Sequence, residues 1–464
     1  MHRTTLFILF TFFSLTVFSQ SEPSSQPTGL MFTNIKAWMA SLSFVSNGAD
    51  GYLVLKSDAD ILDSPNDGVS YQRGQWIGNA KVIYSGPLSF ISVREILEGS
   101  TYHFAIFAFN GSGTSVNYKT SNPLKGTLQS AVADPGDYYI PIDAGAQSFM
   151  ADLTNLLQQK NFLAYDDFRS TVVPSIYERD TVNGQKTVQC QYSGEVKVYV
   201  PPFGWQATNS SREHRLCQSW MKIGGNTVSP PGTDFHNLEL VNQNQVNSVR
   251  SNFPYGEVVT PTNVFLNGKL GLNAQGKTVY EPREEQKGDA ARSQFYMLMC
   301  YDEYQNSGNW GYADLPSFAS DQDENVLRQW HQQDPVDKLE RTRNQYIYTI
   351  QNNRNPFVDH PEWIDCIDFT QLQQIAPCST NVGITDIPSV ETIRVFPVPA
   401  YDLLSLQSPA VLATVQLLDL NGRMIREWLH SGESSVSVAD IPSGCYVVRL
   451  TVGQQAVFKK VIIQ

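Results

Sequence analysis

The chain has no excess of basic residues, no CxxC pair and, beyond residue 19, no apolar run long enough to span a membrane. Each absence narrows the functions open to it. A formal net charge of −12 argues against tight electrostatic capture of nucleic acid, which leaves a basic footprint on a protein. The six cysteines (Cys190, Cys217, Cys300, Cys366, Cys378 and Cys445) have spacings that disfavour structural zinc. Without a second long apolar run, the mature protein is expected to be soluble with no stable membrane span. The one apolar run lies at the start. His2 and Arg3 precede Leu6–Phe18, and Val17 and Ser19 satisfy the small-residue rule for cleavage. Residues 1–19 therefore read as an export signal rather than a retained anchor. Export permits disulfides, and Cys366 with Cys378 is the favoured pair because only a short loop separates them.

At 464 residues and 41% hydrophobic, the chain has room for several domains of roughly 150 residues. Residues 25–130 read as all-β. Short alternating segments recur at Met39–Val45, Gly51–Lys56, Lys81–Tyr84 and Tyr102–Asn110, separated by turn residues such as Asn66-Asp67-Gly68. The run Ile96-Leu97-Glu98-Gly99-Ser100-Thr101-Tyr102-His103-Phe104 resembles the tyrosine corner of fibronectin type III modules. No catalytic cluster appears in this part, and a spacer is the favoured reading over a ligand site.

A linker at Val132–Gly136 opens the central region, residues 136–378. Helical spacing marks Ala146–Gln159, Asp289–Tyr304 and Asn325–His331, with a further helix starting at Pro335. Lys186–Tyr199 alternates as strands do. Helices around a small β unit give an α+β domain.

Residues 390–464 return to β. The pieces Pro397-Val398-Pro399-Ala400, Leu420-Asn421-Gly422-Arg423, Ser443-Gly444-Cys445-Tyr446 and Lys459-Lys460 resemble the C-terminal sorting domain of the bacterial type IX secretion system. Asn421-Gly422 between apolar runs is also a strong hairpin cue. The resemblance implies dealings with that secretion machinery and a product secreted or attached to the outer cell surface.

The chemistry concentrates in Arg212-Glu213-His214 and the downstream Asn247, with a glycine- and proline-rich loop between them (Gly224, Gly225, Pro230, Pro231, Gly232). A carboxylate and an amide oxygen suffice as protein ligands for a hard ion that keeps several waters, and an imidazole can take a proton from water near neutral pH. Taken alone, a Glu-His pair is usually surface or satisfied core. Here it sits in an ordered set: Ser211–His214, Asp234–Leu238, Val246–Asn252, Glu281-Pro282 with Lys287–Arg292, Gln329–Pro335, Arg341–Asn344 and Asn353–Glu362. This set resembles the endonuclease I family of secreted bacterial nucleases.

The resemblance implies a ββα-metal core in which Glu213 and Asn247 hold Mg²⁺, with Ca²⁺ or Mn²⁺ as substitutes, and His214 activates water. The substrate is then DNA, with RNA as a second. Arg212, Arg215 and Arg250 are candidate phosphate-binding residues, each weighed against a merely solvated arginine. Asp234, His236, Asp359 and His360 are read as structural. Glu213 and His214 would face opposite sides of a regular strand, so the strand must end or bend there. Two departures from the family's pattern stand near the site: Cys217 where proline is common, and Glu239-Leu240 where Arg-Pro is common. Loss of that arginine suggests weaker phosphate affinity or an altered substrate preference, with the metal and base positions kept. The rival reading is a surface-attached binding or adhesion protein with a catalytically weakened nuclease domain. A phosphodiesterase for small nucleotides is a further one.

Overall fold

In the computed structural model the described residues are 20–220, 230–301 and 322–378 in one compact unit, and 394–407, 413–419, 423–430, 433–452 and 455–464 in a second. The signal segment, Gly224, Gly225 and the Asn421-Gly422 turn lie outside these residues.

The first unit begins with strands β1 (Thr28–Thr33), β2 (Ala40–Val45), β3 (Gly51–Ser57), β4 (Trp76–Ile77), β5 (Ala80–Gly86), β6 (Phe90–Val93), β7 (Thr101–Asn110), β8 (Asn117–Tyr118) and β9 (Leu124–Gln129). They form two antiparallel sheets, β1-β2-β6 and β4-β5-β3-β7-β8 with β9 also on β7. Leu42, Phe44, Val54, Phe104 and Ile106 fill the space between them, as alternation requires of a sandwich. β3 departs from alternation and is buried at every position. Ile61, Ile77 and the partly buried Tyr71 cover its outer residues Leu53 and Leu55. The Leu97 N–H donates to the Tyr102 hydroxyl at 2.9 Å, the tyrosine-corner bond expected from the resemblance to fibronectin type III sandwiches.

This sandwich is docked on the central region. The buried Glu98 carboxylate pairs with Arg341 at 2.7 Å, and the Glu98 N–H donates to the Thr342 hydroxyl at 3.0 Å. Lys338 donates to the Gly99 carbonyl at 3.1 Å, the Asp180 N–H to Glu95 at 2.5 Å, and Trp38 meets Tyr346 edge-on at 5.1 Å. Gly74, at φ +90°, lies so close to Thr181 that a Cβ there would come within 2.3 Å of its backbone. The spacer expectation followed from the resemblance and the lack of a catalytic cluster, which say nothing of docking; these contacts fix the sandwich against the helix Lys338–Gln351 and the segment at Asp180-Thr181.

The remainder of the unit holds β10 (Arg179–Asp180), β11 (Lys186–Gln189) and β12 (Val196–Tyr199) in one sheet, the pair β13 (Ser210–His214) and β14 (Leu238–Asn242), and the sheet β15 (Thr260–Phe265), β16 (Gly268–Leu272) and β17 (Thr278–Glu281). Around them pack helices Phe149–Gln158, Lys287–Cys300, Glu324–Gln333 and Lys338–Gln351. The helix Lys287–Cys300 falls where helical spacing marks Asp289–Tyr304. It is not amphipathic in use, because every residue is buried. Its polar positions find internal partners: Arg292 with Glu340 at 2.7 Å, Ser293 with the His236 carbonyl at 2.8 Å, and Gln294 with the Arg215 carbonyl at 2.9 Å. Pro335 does not start a helix either. It lies in the connection after Gln333, and Asp337 caps the next helix by accepting from the Glu340 N–H at 2.7 Å. Cys366 and Cys378 are disulfide-bonded.

The second unit has strands β20 (Arg394–Phe396), β21 (Leu403–Gln407) and β24 (Glu433–Ser437) in one sheet, and β22 (Ala413–Leu418), β23 (Met424–His430), β25 (Gly444–Val452) and β26 (Gln455–Ile463) in another, after the short pair β18 (Ile367–Asp368) and β19 (Gln373–Gln374) that closes the first unit. Leu404, Leu406, Val415, Leu417, Val448 and Val461 form its core. Among the described residues no helix is long and apolar enough to cross a membrane.

If Glu98 anchors the sandwich, Arg341→Ala leaves a buried carboxylate without its cation. We expect a loss of about 1–2 kcal/mol in the urea-unfolding free energy of the chain, and an unchanged midpoint would show that this contact does not hold the sandwich in place.

Candidate active site

β13 and β14 pair antiparallel with Glu213 opposite Glu239 and His214 opposite Leu238. The strand ends at His214. Arg215 continues only as a single N–H bond to the Asn237 carbonyl, at 2.9 Å, and the chain then turns through Gln218–Trp220. With no further strand to enforce opposite faces, Glu213 and His214 both border one cleft of about 350 Å³.

Asn247 reaches the same cleft by a different local device. Asn242 at the end of β14 caps the following turn, its side-chain oxygen accepting from the Asn244 and Gln245 N–H groups at 2.9 and 2.8 Å. The wide turn Gln243–Asn247 and the short helical turn Ser248–Arg250 then lie beside β13. The Asn247 amide nitrogen donates to Glu213 Oε2 at 2.6 Å and to the Arg212 carbonyl at 3.2 Å. Arg250 Nη1 pairs with Glu213 Oε1 and with the His214 carbonyl at 2.7 Å, while Nη2 takes the Arg215 carbonyl at 2.9 Å.

Burial raises the Glu213 carboxyl to about 7, against the opposing pull of Arg250 and Asn247. Burial also lowers the His214 imidazole to about 4, with the charges of Arg250 and Arg212 acting the same way and the Gly232 bond against them. His214 is therefore a neutral imidazole near pH 7. Its Nε2 lies 2.8 Å from the Gly232 carbonyl oxygen. A carbonyl only accepts, so Nε2 carries the hydrogen and Nδ1 keeps a lone pair. Tyr165 stacks on the ring, nearly parallel at 9° and 5.6 Å between centroids.

The three arginines named as phosphate contacts do not stand free. Arg215 is 2% exposed and paired with Glu239 at 2.6 Å, with a further bond to Gln286 at 3.2 Å. Arg250 is fully buried, and its guanidinium lies 4.3 Å from the Tyr255 ring as well as on Glu213. Both are engaged inside the protein in this structure, although Arg250 also borders the cleft. Arg212 is only partly covered, yet its guanidinium sits 3.9 Å from the Tyr165 ring and 4.7 Å from Trp205, and pairs with Asp166 at 3.0 Å. The Glu239 departure also reads differently. Glu239 is 1% exposed, so it faces inward and neutralises Arg215 instead of removing charge from a phosphate path. Asp234 and His236 are internal too. Asp234 accepts from Lys160 at 2.8 Å, Tyr296 at 2.7 Å, Tyr301 at 2.8 Å and Gln351 at 2.9 Å, and His236 lies 3.2 Å from the Asn353 carbonyl.

Sequence reasoning missed Tyr165, Asp166 and Trp205, which come from segments with no motif of their own. It also passed over Ser248, Ser251 and Asn252, which line the cleft although they stand inside the quoted run Val246–Asn252.

The model of the endonuclease I family matches residues 120–362, more than half of the chain. The chain belongs to the endonuclease I family. A second match, to the secretion system C-terminal sorting domain, covers residues 394–464 and marks this family member for secretion or surface attachment. The extracellular ribonuclease of Bacillus subtilis (strain 168) is 40% identical over 164 residues, covering 33% of this chain and 52% of that protein. The extracellular ribonuclease of Bacillus amyloliquefaciens is 41% identical over 170 residues, with the same 33% and 52% coverage. Endonuclease-1 of Buchnera aphidicola subsp. Acyrthosiphon pisum (strain APS) is 29% identical over 126 residues, covering 27% and 44%. The chain spans about half the length of the curated relatives it matches. Among solved structures, the fn3 domain of the human collagen alpha-1(XX) chain matches 25% of this chain and 92% of its own, at 18% identity and a TM-score of 0.17.

Glu239→Arg would install the family's usual arginine against Arg215 in the interior. The expected result is a loss of about 3–5 kcal/mol in thermal or urea unfolding. A variant of unchanged stability that binds nucleic acid more tightly would return position 239 to the phosphate path.

Proposed function

We propose that the chain is a secreted, Mg²⁺-dependent endonuclease that hydrolyses the phosphodiester bonds of DNA and RNA without sequence specificity. One observation carries this reading: a buried carboxylate within hydrogen-bond reach of Asn247, on the same cleft as a neutral imidazole of defined tautomer.

The donor set suits a hard cation. An ionised carboxylate offers about four lone-pair positions, and Arg250 and Asn247 take two of those on Glu213. Among the described residues the Asn247 oxygen meets only Gln243 Nε2, at 3.5 Å. Glu213 and Asn247 would hold an ion that keeps most of its own waters, the habit of Mg²⁺. When bound, that ion supplies positive charge against the phosphate and the departing oxygen. His214 then acts as general base: Nδ1 takes a proton from water, the water oxygen bonds to phosphorus, and the bond from phosphorus to the 3′ oxygen breaks. Gly232 and Tyr165 hold the ring for that transfer.

Because the nucleophile is water, no 2′-hydroxyl is required. This accounts for relatives called ribonuclease on one side and endonuclease on the other. The acidic net charge is compatible with a catalyst that needs only brief, local phosphate contacts.

Nicking of plasmid DNA and cleavage of RNA by the whole chain with Mg²⁺ tests the proposal. EDTA should stop both, and His214→Ala should reduce both by about 10²- to 10⁴-fold. Equal inertness of wild type and variant would favour the surface binding protein, and cleavage of dinucleotides alone the small phosphodiesterase.

With Arg215 and Arg250 internal and Arg212 paired to Asp166, few cations remain for the substrate among the described residues of the cleft. The log–log dependence of kcat/KM on salt should have a slope no steeper than about −2, given roughly −0.9 per neutralised phosphate; a slope near −5 would mean that a cationic path exists after all.

A further inference from the structure

Ser251 leaves the short turn Ser248–Arg250 at φ +49° and ψ −115°. That combination lies outside even the left-handed helical region and belongs to the first central position of a type II′ turn, where glycine is the usual occupant. A side chain there is strained. Glycine would satisfy everything the backbone does at this position. The Ser251 N–H donates to the Asn247 carbonyl at 2.9 Å, and the Ser251 carbonyl faces Cys217 Sγ at 3.9 Å. Neither contact needs a hydroxymethyl group.

The side chain is nonetheless placed where a ligand would be. Ser251 is exposed and lines the cleft with Glu213, His214 and Asn247, and among the described residues its hydroxyl has no partner. By contrast the Ser248 hydroxyl lies 3.2 Å from Gln243 Nε2. The neighbouring cations are committed elsewhere: Arg250 to Glu213 and two carbonyls, Arg215 to Glu239, and Arg212 to Asp166. Among the described residues, a phosphate over Glu213 and Asn247 meets neutral donors on the wall.

We propose that the Ser251 hydroxyl donates a hydrogen bond to a non-bridging oxygen of the scissile phosphate, and that it sets how that phosphate is held for attack. This rests on the nuclease reading above. The backbone strain at Ser251 is tolerated for the hydroxyl.

Two variants separate this from a purely structural role. Ser251→Ala keeps a Cβ at the strained position and removes the hydroxyl; Ser251→Gly removes both. We expect kcat/KM on plasmid DNA to fall roughly ten- to hundredfold in each, the loss typical of one hydrogen bond to a charged group. The melting temperature should hold in Ser251→Ala and hold or rise in Ser251→Gly. If both variants cleave like wild type, or if Ser251→Gly melts lower than wild type, the inference falls. If wild type itself does not cleave with Mg²⁺, it is the nuclease reading that has failed.

Discussion

The structure of the cleft depends on one buried carboxylate. Glu213 is 3% exposed, and an unpaired charge there would be untenable. Arg250 answers it from the turn after β14 and, with the same guanidinium, takes the carbonyls of His214 and Arg215. That single fork ties the end of one strand to the segment carrying Asn247. Glu213 and Asn247 meet because Arg250 holds their backbones together, three positions along from the asparagine. Any cation entering the cleft would thus meet a carboxylate already oriented but only partly neutralised.

The same economy of charge explains how an acidic chain can keep so many arginines near a site and offer so few to solvent. Arg215 and Glu239 neutralise each other in the interior of the β13–β14 pair, Arg292 faces Glu340 and Asp289, and Arg354 faces Asp359 at 2.6 Å. These are internal ion pairs that position elements, and breaking one leaves an uncompensated charge in a low-dielectric setting. Net charge read from composition cannot distinguish such cations from free ones.

What was legible in the sequence was local or repeated. Tyr102 and Leu97 are five residues apart, so the tyrosine corner could be read directly, and the short β-rich segments Met39–Val45 and Gly51–Lys56 marked strands whatever their partners, even though β3 proves buried on both faces. The helix Lys287–Cys300 was visible as a helix, but nothing in its spacing told that its polar positions are buried as well. Only the tertiary arrangement brings Glu340 to Arg292 and the His236 carbonyl to Ser293. Glu239 looked like a lost arginine for a similar reason, since the pairing of its side chain with Arg215 depends on where the chain runs just past the end of β13. Tyr165 carries no motif at all. Its value comes from lying parallel to a ring contributed by a strand far along the chain.

The protonation form of His214 is itself a consequence of distant packing. The Gly232 carbonyl that fixes the Nε2 hydrogen stands two residues before Asp234. Asp234 is among the most heavily bonded side chains of the domain, held by Lys160, Tyr296, Tyr301 and Gln351. Burial works against its ionisation, but Lys160 and these hydrogen bonds outweigh it and keep the carboxyl well below the usual carboxylate range. Asp234 therefore stays charged and in place, and the short turn Pro230–Thr233 just before it is anchored at one end. A helix buried on all sides, a salt bridge beneath the run into β14 and a single carbonyl together settle which nitrogen of the imidazole is basic.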